Sequence, residues 1–284
     1  MTFRHYEEKD YQLLCDFLIE VNRFDTLHIN WNWARLEWMI EHPEFDKSLT
    51  RSIGLWFDED VLVGTAIFDM YYGEASCITL PNYQYLYKEI VDYAYQYLKD
   101  DKGISVSVND TDTSIINELA INGYKLTSQK EVVASLDFSH KYKAKLKKGY
   151  SYQEVYKDTE ELEWLIYQGF DHGNDKETFL REYKLANNRV HQNPHLTLVI
   201  ENKEGVKVAF AGAWYDSRTN YAYLEPLCVI PEYRGKGLAT SLVYELANRV
   251  RELGAEKLYV ISDSNFYKKI GFKEVETYSF YHKN

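Results

Sequence analysis

Between Pro231 and Ala239 the chain reads Pro-Glu-Tyr-Arg-Gly-Lys-Gly-Leu-Ala, a turn whose residue types are suited to holding an anion. Gly235 and Gly237 let the backbone bend tightly and bring successive N–H groups to one point. Downstream, Leu238, Leu242, Val243, Leu246, Ala247, Val250 and Leu253 recur at three- and four-residue spacing, which predicts an amphipathic helix closed by Gly254. The converging amides therefore lie at a helix N-terminus, where unsatisfied donors and the helix dipole favour negative charge. Arg234 and Lys236 add positive side chains. The spacing is neither Gly-x-x-x-x-Gly-Lys-Ser/Thr nor Gly-x-Gly-x-x-Gly. The plainer alternative is a glycine-rich turn that only joins a strand to a helix.

The turn resembles the Arg/Gln-x-x-Gly-x-Gly/Ala signature of the GNAT superfamily of acyl-CoA N-acyltransferases, with Arg234 first, Gly237 fourth and Ala239 sixth. The resemblance implies acetyl-CoA as co-substrate. Its pyrophosphate would be cradled by Arg234, Gly235, Lys236 and Gly237 together with Leu238, Ala239 and Thr240 at the helix start. The preceding strand, through Leu227, Cys228 and Val229, would pair with the pantetheine arm. A second element, Asn265-Phe266-Tyr267-Lys268-Lys269-Ile270-Gly271-Phe272, resembles the family's Tyr-x-x-x-Gly-Phe. On that likeness Tyr267 is expected near the coenzyme sulfur as general acid, in a helix N-terminal region that would favour a phenolate. Asn265 is expected to contact the pantetheine or, more simply, to cap the short helix.

Acyl transfer from a thioester to an amine requires that the amine lose a proton, that the oxyanion be stabilised and that the thiolate be protonated. Glu225 is the candidate base: it lies on the strand before the turn, flanked by apolar neighbours that would raise its pKa. Pro226 follows it, and a proline inside a strand implies an edge or a bulge. In the superfamily such a bulge splays two strands and exposes an N–H to the thioester carbonyl, here that of Leu227 or Cys228. Glu225 could instead be a structural hydrogen-bond partner or recognise substrate charge. His172, in Gly169-Phe170-Asp171-His172-Gly173-Asn174, is a candidate for orienting or deprotonating the acceptor, with loop capping the simpler role. Direct transfer in a ternary complex needs no covalent nucleophile, so Cys228 receives no such part. No grouping of His, Cys, Asp and Glu has metal-ligand spacing. The expected activity is N-acetylation of a primary amine on a small molecule. The alternatives are an acyl-CoA-binding regulatory module without catalysis, and a peptide or protein N-acetyltransferase.

Composition narrows the partners. Residues 1–140 carry 11 Lys and Arg against 24 Asp and Glu, while the remainder is nearly balanced at 22 against 20. Phosphate neutralisation drives nucleic-acid binding, so the front half is not expected to bind it. An acidic surface can steer a cationic acceptor or simply confer solubility. No apolar run reaches the roughly 18 residues that span a bilayer, and the first residues do not read as a signal peptide. Three dispersed cysteines, Cys15, Cys77 and Cys228, suggest buried hydrophobes in a reducing cytoplasm. A monomer or homodimer is expected.

The elements that must position these residues fall into two similar units. Pro81 pairs with Pro231 at an offset of 150, and Ile121-Asn122-Gly123-Tyr124-Lys125 with Lys269-Ile270-Gly271-Phe272-Lys273 at 148. Each unit alternates strands and helices, implying a mixed α+β fold of two tandem GNAT-like domains. Each domain would be a mostly antiparallel twisted sheet flanked by helices, with a splayed central strand pair in the second. The expected division is 1–140, a basic linker at 141–148, and 149–284. A helix is expected over Lys176–Val190 and a strand over Tyr221–Val229. Gln84, Tyr85, Leu86 and Tyr87 stand where the second unit has Arg234 to Gly237, removing the charge and adding side chains that would crowd a phosphate. The first unit is therefore expected not to hold the coenzyme.

Overall fold

The computed structural model describes residues 1–182 and 191–284. In the first half, β1 (Thr2–His5), α1 (Tyr11–Phe24) and α2 (Trp33–Ile40) precede β2 (Gly54–Asp58), β3 (Val61–Ile67) and β4 (Glu74–Thr79). α3 (Tyr87–Tyr97), β5 (Ile104–Asn109), α4 (Thr113–Ile121) and β6 (Lys125–Asp137) complete it. The second half begins with β7 (Tyr150–Glu154), α5 (Glu160–Gly169), α6 (Lys176–Glu182), β8 (Thr197–Asn202), β9 (Lys207–Tyr215) and β10 (Tyr221–Val229). It ends with α7 (Leu238–Glu252), β11 (Lys257–Ile261), α8 (Asn265–Lys269) and β12 (Lys273–Lys283). The helix expected to run on to Val190 is described only as far as Glu182; the rest of that expectation lies outside the described residues.

Local chemistry accounts for the helix starts. Asn32, Asp112 and Thr159 each turn a side-chain oxygen onto the first free N–H groups of α2, α4 and α5. Gly254 follows α7 with a φ of 111°, the left-handed geometry that suits a residue without a side chain. The three cysteines are buried.

The strands form a mixed, mostly antiparallel sheet in the order β1-β2-β3-β4-β5-β12-β6-β11-β10-β9-β8-β7. Each half contains one parallel pair, β4 with β5 and β10 with β11. The last strands of the halves change places. β6 pairs with β11, Asp137 opposite Lys257 and Val133 opposite Ile261. β12 pairs with β5, Tyr278 opposite Asn109 and Lys283 opposite Ile104. The two exchanged strands also pair with each other. The sheet is therefore continuous, and each half depends on the other to cover what would otherwise be an open strand edge.

The connection at 141–148 lies extended along α7. Its lysines are exposed while Tyr142, Ala144 and Leu146 are half-buried, and Tyr142 stacks on Tyr244 at 4.9 Å. Asn248 accepts from the Tyr142 N–H and donates to its carbonyl, both at 2.9 Å. This segment is thus docked onto a helix, with only its charged side chains in water.

Two apolar cores lie along the sheet. One gathers the first half together with Trp214, Tyr221, Tyr223, Tyr259 and Tyr278; the other gathers the faces of α5, α7 and the second half's strands. At the junction Trp33 meets Trp214 edge-on, and the fully buried Glu37 accepts from Tyr11 and from the His191 N–H. The His191 ring lies 2.5 Å from the same carboxylate, which raises its pKa above the ordinary 6.5 against the opposing pull of burial. A group whose folded pKa is raised adds stability that is complete below its unfolded pKa and is lost as pH rises through the folded value. The melting-temperature advantage of the wild type over His191→Gln should therefore shrink as pH rises from roughly 6.5. A gap that holds constant or widens over that rise contradicts this role.

Candidate active site

β10 carries the first part of the site. Its parallel pairing with β11 stops at Tyr223 opposite Tyr259, so among the described residues no strand pairs with that edge from Leu224 onward. On the other edge, the register with β9 jumps between Leu224 and Leu227, placing Glu225 and Pro226 opposite the single residue Gly212. Proline cannot donate to a ladder, which explains the break there. A Cβ on Gly212 would sit 2.8 Å from the Glu225 carbonyl, and Trp214 Nε1 donates to that oxygen at 2.7 Å. The expected splayed strand pair is thus present, and its opening faces a cleft of about 500 Å³ lined by Leu227, Cys228 and Val229.

The turn after β10 forms the far wall. Pro231–Tyr233 makes a short 3-10 turn, Gly235 and Gly237 take φ of 71° and 81°, and α7 begins at Leu238. No side chain caps α7. Its first internal bond runs from the Ser241 N–H to the Gly237 carbonyl at 3.0 Å, so the N–H groups of Leu238, Ala239 and Thr240 precede the helical ladder. A Cβ at Gly235 or Gly237 would meet nothing within 4 Å. The turn is open to space, and its glycines are required by their backbone conformation. Gly235, Gly237, Leu238, Ala239 and Thr240 all line the cleft. This wall of free amides at a helix start, beside an unpaired strand edge, fits an anionic group on an extended arm.

Of the two charged side chains of the turn, Arg234 lines the cleft and is braced by neighbouring carbonyls, while Lys236 is not among the lining residues. Arg234 donates from Nε to the Val229 carbonyl at 3.0 Å and from Nη2 to the Gly169 carbonyl at 2.9 Å, and pairs with Asp171 at 3.0 Å. It ties the end of β10 to the end of α5. Lys236 donates to the Glu232 carbonyl at 2.9 Å and lies 4.1 Å from the centre of the Tyr233 ring. The positive potential of the cleft therefore has two sources, the helix start and the braced guanidinium of Arg234. Gly169 also matters in its own right: a Cβ there would lie 2.6 Å from Cys228 Sγ, so only glycine lets α5 meet β10 so closely.

Tyr267, at the centre of α8, and Phe266 close the cleft opposite the turn. The Tyr267 ring packs edge-on to Phe272 at 5.2 Å. Burial, and to a smaller extent the charge of Glu225, push its pKa well above the ordinary phenol value. This corrects the expectation of a phenolate: desolvation outweighs the dipole of a five-residue helix, and the phenol keeps its proton. The cap of α8 is Ser264, whose oxygen accepts from the Phe266 N–H at 3.2 Å; Asn265 is the exposed first helical residue and caps nothing. Cys228 is buried and its thiol is pushed up to about 12, so it is a poor nucleophile. His172 is exposed beyond α5, its N–H bonded to the Tyr167 carbonyl at 3.0 Å and its ring against that of Tyr167. Among the described residues no group of three or more His, Cys, Asp or Glu could hold a metal ion.

Sequence reasoning missed Gly169, Tyr233 and Phe266 as lining residues. Gly169 alone carried a signal, as a glycine at a helix end.

The corresponding place in the first half is built differently. β4 and β5 also part after two paired residues, Ala75 opposite Val106 being the last. Leu27, His28 and Asn30, from the stretch after α1, enter the opening beside Ser76 and Ser107 and leave a void of only about 10 Å³. The 3-10 turn Pro81–Leu86 continues into α3 with no positive φ, and the Tyr87 hydroxyl donates to Asp112 at 2.8 Å.

Comparison with known proteins agrees with this architecture. Residues 156–272 match the sequence profile of the Acetyltransferase (GNAT) family. No curated protein matches the chain in sequence. Among solved structures, a tandem GNAT protein from the clavulanic acid biosynthesis pathway, at 11% identity, aligns over 99% of this chain and 98% of its own with a TM-score of 0.63. A GCN5-related N-acetyltransferase from Sphaerobacter thermophilus, at 14% identity, aligns over 99% and 95% with 0.58. A GNAT-family acetyltransferase from Colwellia psychrerythraea, also at 14%, aligns over 100% of both chains with 0.55. The profile match over the cleft-bearing half and the fold shared along the whole chain lead to one assignment: residues 156–272 match the Acetyltransferase (GNAT) family, and the chain as a whole has the fold of a tandem GNAT protein.

Proposed function

We propose that residues 149–284 transfer an acetyl group from acetyl-CoA to a primary amine of a small molecule, both substrates being bound together, and that residues 1–140 hold no coenzyme. The observation that carries this reading is the cleft between the unpaired edge of β10 and the uncapped start of α7. Acetyl-CoA supplies an acetyl thioester when bound. The amides from Gly235 to Thr240 hold its diphosphate, and the edge at Leu227, Cys228 and Val229 aligns its arm. The N–H of Leu227 or Cys228 donates to the acyl oxygen. Tyr267, kept protonated by burial, holds the proton for the leaving sulfur, and Glu225 receives the proton of the amine. His172 and Asn265, both exposed, belong to the rim. The filled opening between β4 and β5 and the continuous turn into α3 support the inactive first half. Among the described residues no helix is long and apolar enough to cross a membrane; a cytoplasmic setting and a monomeric or homodimeric state belong to this proposal.

The test is release of free coenzyme thiol across a panel of polyamines, aminoglycosides, amino acids and peptides. Thiol release that depends on a small amine is expected. Binding of acetyl-CoA with no thiol release from any acceptor would make the chain a regulatory binder instead, and release with peptides alone would make it a peptide acetyltransferase.

A further inference from the structure

The bulge that opens the cleft is held by a side chain rather than by the ladder of its neighbouring strand. Gly212 and Trp214 are two residues apart on β9 and so lie on one face of the sheet. Gly212 stands opposite Glu225 and Pro226, and its missing side chain leaves the Glu225 carbonyl within reach of the indole, whose Nε1 donates to it at 2.7 Å. Tryptophan Nε1 is a donor only, and a carbonyl displaced from its ladder at a bulge needs one. The packing leaves no slack. The cavity lined by Gly212, Trp214, Glu225 and Pro226 measures about 10 Å³, too little for the ring to swing aside.

That bond fixes more than one oxygen. The Glu225–Pro226 peptide is planar and the proline ring sets its own φ, so one soft torsion, ψ of Pro226, separates the held carbonyl from the Leu227 N–H. Leu227 is the first residue of β10 to line the cleft. The indole is itself set from the first half. Trp33, the first residue of α2, meets Trp214 edge-on with ring centres 6.2 Å apart, and both side chains are buried. Asn32 caps α2 directly before Trp33, accepting from the Ala34 and Arg35 N–H groups. The His191 ring packs edge-on against Trp33 at 5.4 Å and is held by Glu37, one helical turn further along α2. A line of direct contacts therefore runs from α2 through Trp33 and Trp214 to the Glu225 carbonyl.

We propose that Trp214 is a positioning residue for acetyl transfer, and that the first half, through Trp33, keeps it in place. This rests on the acetyl-transfer reading above. The indole bond sets the direction of the bulge, and the bulge presents the N–H of Leu227 or Cys228 to the thioester oxygen. Trp214 does not line the cleft, so its effect reaches the reaction only through the aim of that amide. An oxyanion donor acts when it points at the place where charge develops, so turning it slightly costs more rate than binding. The first half thereby serves the second half's reaction, although it holds no coenzyme itself.

The test reads the acyl carbonyl directly, by isotope-edited infrared spectra of carbonyl-labelled acetyl-CoA bound to the full chain. In the wild type the labelled stretch is expected below its position for free acetyl-CoA, and in Trp214→Phe it should move back toward that position. The variant keeps a ring beside Trp33 and deletes the donor. Its kcat in thiol release should fall about ten- to a hundredfold, with the acetyl-CoA dissociation constant changed by no more than about threefold. A stretch in Trp214→Phe identical to that of the wild type, or in the wild type identical to that of free acetyl-CoA, overturns the proposal. Should Trp214→Phe not fold, Trp33→Leu, which keeps the donor and removes its support, decides. A smaller movement of the stretch in the same direction upholds the proposal there, and an unchanged stretch overturns it. Acetyl-CoA bound without turnover of any amine leaves the stretch to decide alone, whereas no acetyl-CoA binding overturns the acetyl-transfer reading and this inference with it.

Discussion

Arg234→Glu is expected to weaken acetyl-CoA binding by roughly a hundredfold or more, to the point where calorimetry detects little heat. This loss does not require the guanidinium to touch a phosphate. Arg234 fastens the Val229 carbonyl at the end of β10 to the Gly169 carbonyl at the end of α5. These two element ends, with the turn between Arg234 and Gly237, are the walls of the cleft. Glutamate has no proton to give either carbonyl and faces Asp171, so the substitution removes two charge-assisted hydrogen bonds and adds repulsion. The turn then loses the anchor that holds its amides convergent. Arg234→Met separates the effects, since it removes the bonds without the new negative charge, and should fall between wild type and Arg234→Glu. Affinity within threefold of wild type in Arg234→Glu would show that the amides are positioned without this brace.

Tyr267→Phe should lower kcat by about a hundred- to ten-thousand-fold while the acetyl-CoA dissociation constant changes only a few-fold, the usual signature of a lost general acid. Phenylalanine keeps the ring contact with Phe272 and deletes only the hydroxyl. The phenol's raised pKa sets the direction of the pH response: the proton is in place throughout neutral and mildly alkaline conditions, so the rate should not climb with phenol ionisation in that range. Turnover unchanged in the variant removes Tyr267 from the mechanism.

The parts of the site governed by local chemistry are legible in the sequence. The strand Tyr221–Val229 was readable to its ends because its apolar run is bounded by a polar turn and by Ile230-Pro231, and Pro226 within it announces the bulge opposite Gly212. The glycines at 235 and 237 announce left-handed backbone at a helix start. What depends on distant partners is not legible. β6 and β12 have the same alternation whichever sheet they join, so their exchange cannot be read from either segment. The protonation of Tyr267 follows from packing that brings Glu225 and Phe272 around it. Ser264 and Asn265 are adjacent residues of equal capping ability, and only the backbone decides between them. Arg234 shows the same limit: its type predicts positive charge at the cleft, but not the bonds to the Val229 carbonyl, to the Gly169 carbonyl 65 residues away in sequence and to Asp171 that hold it there.

Our proposal places a diphosphate at the turn beyond Tyr233 and none at Gln84 to Tyr87. Titrating acetyl-CoA into the full chain by calorimetry addresses both halves of it at once. One bound acetyl-CoA per chain, lost in Arg234→Glu, is the predicted result. Two equivalent sites per chain, or no binding at all, would contradict it.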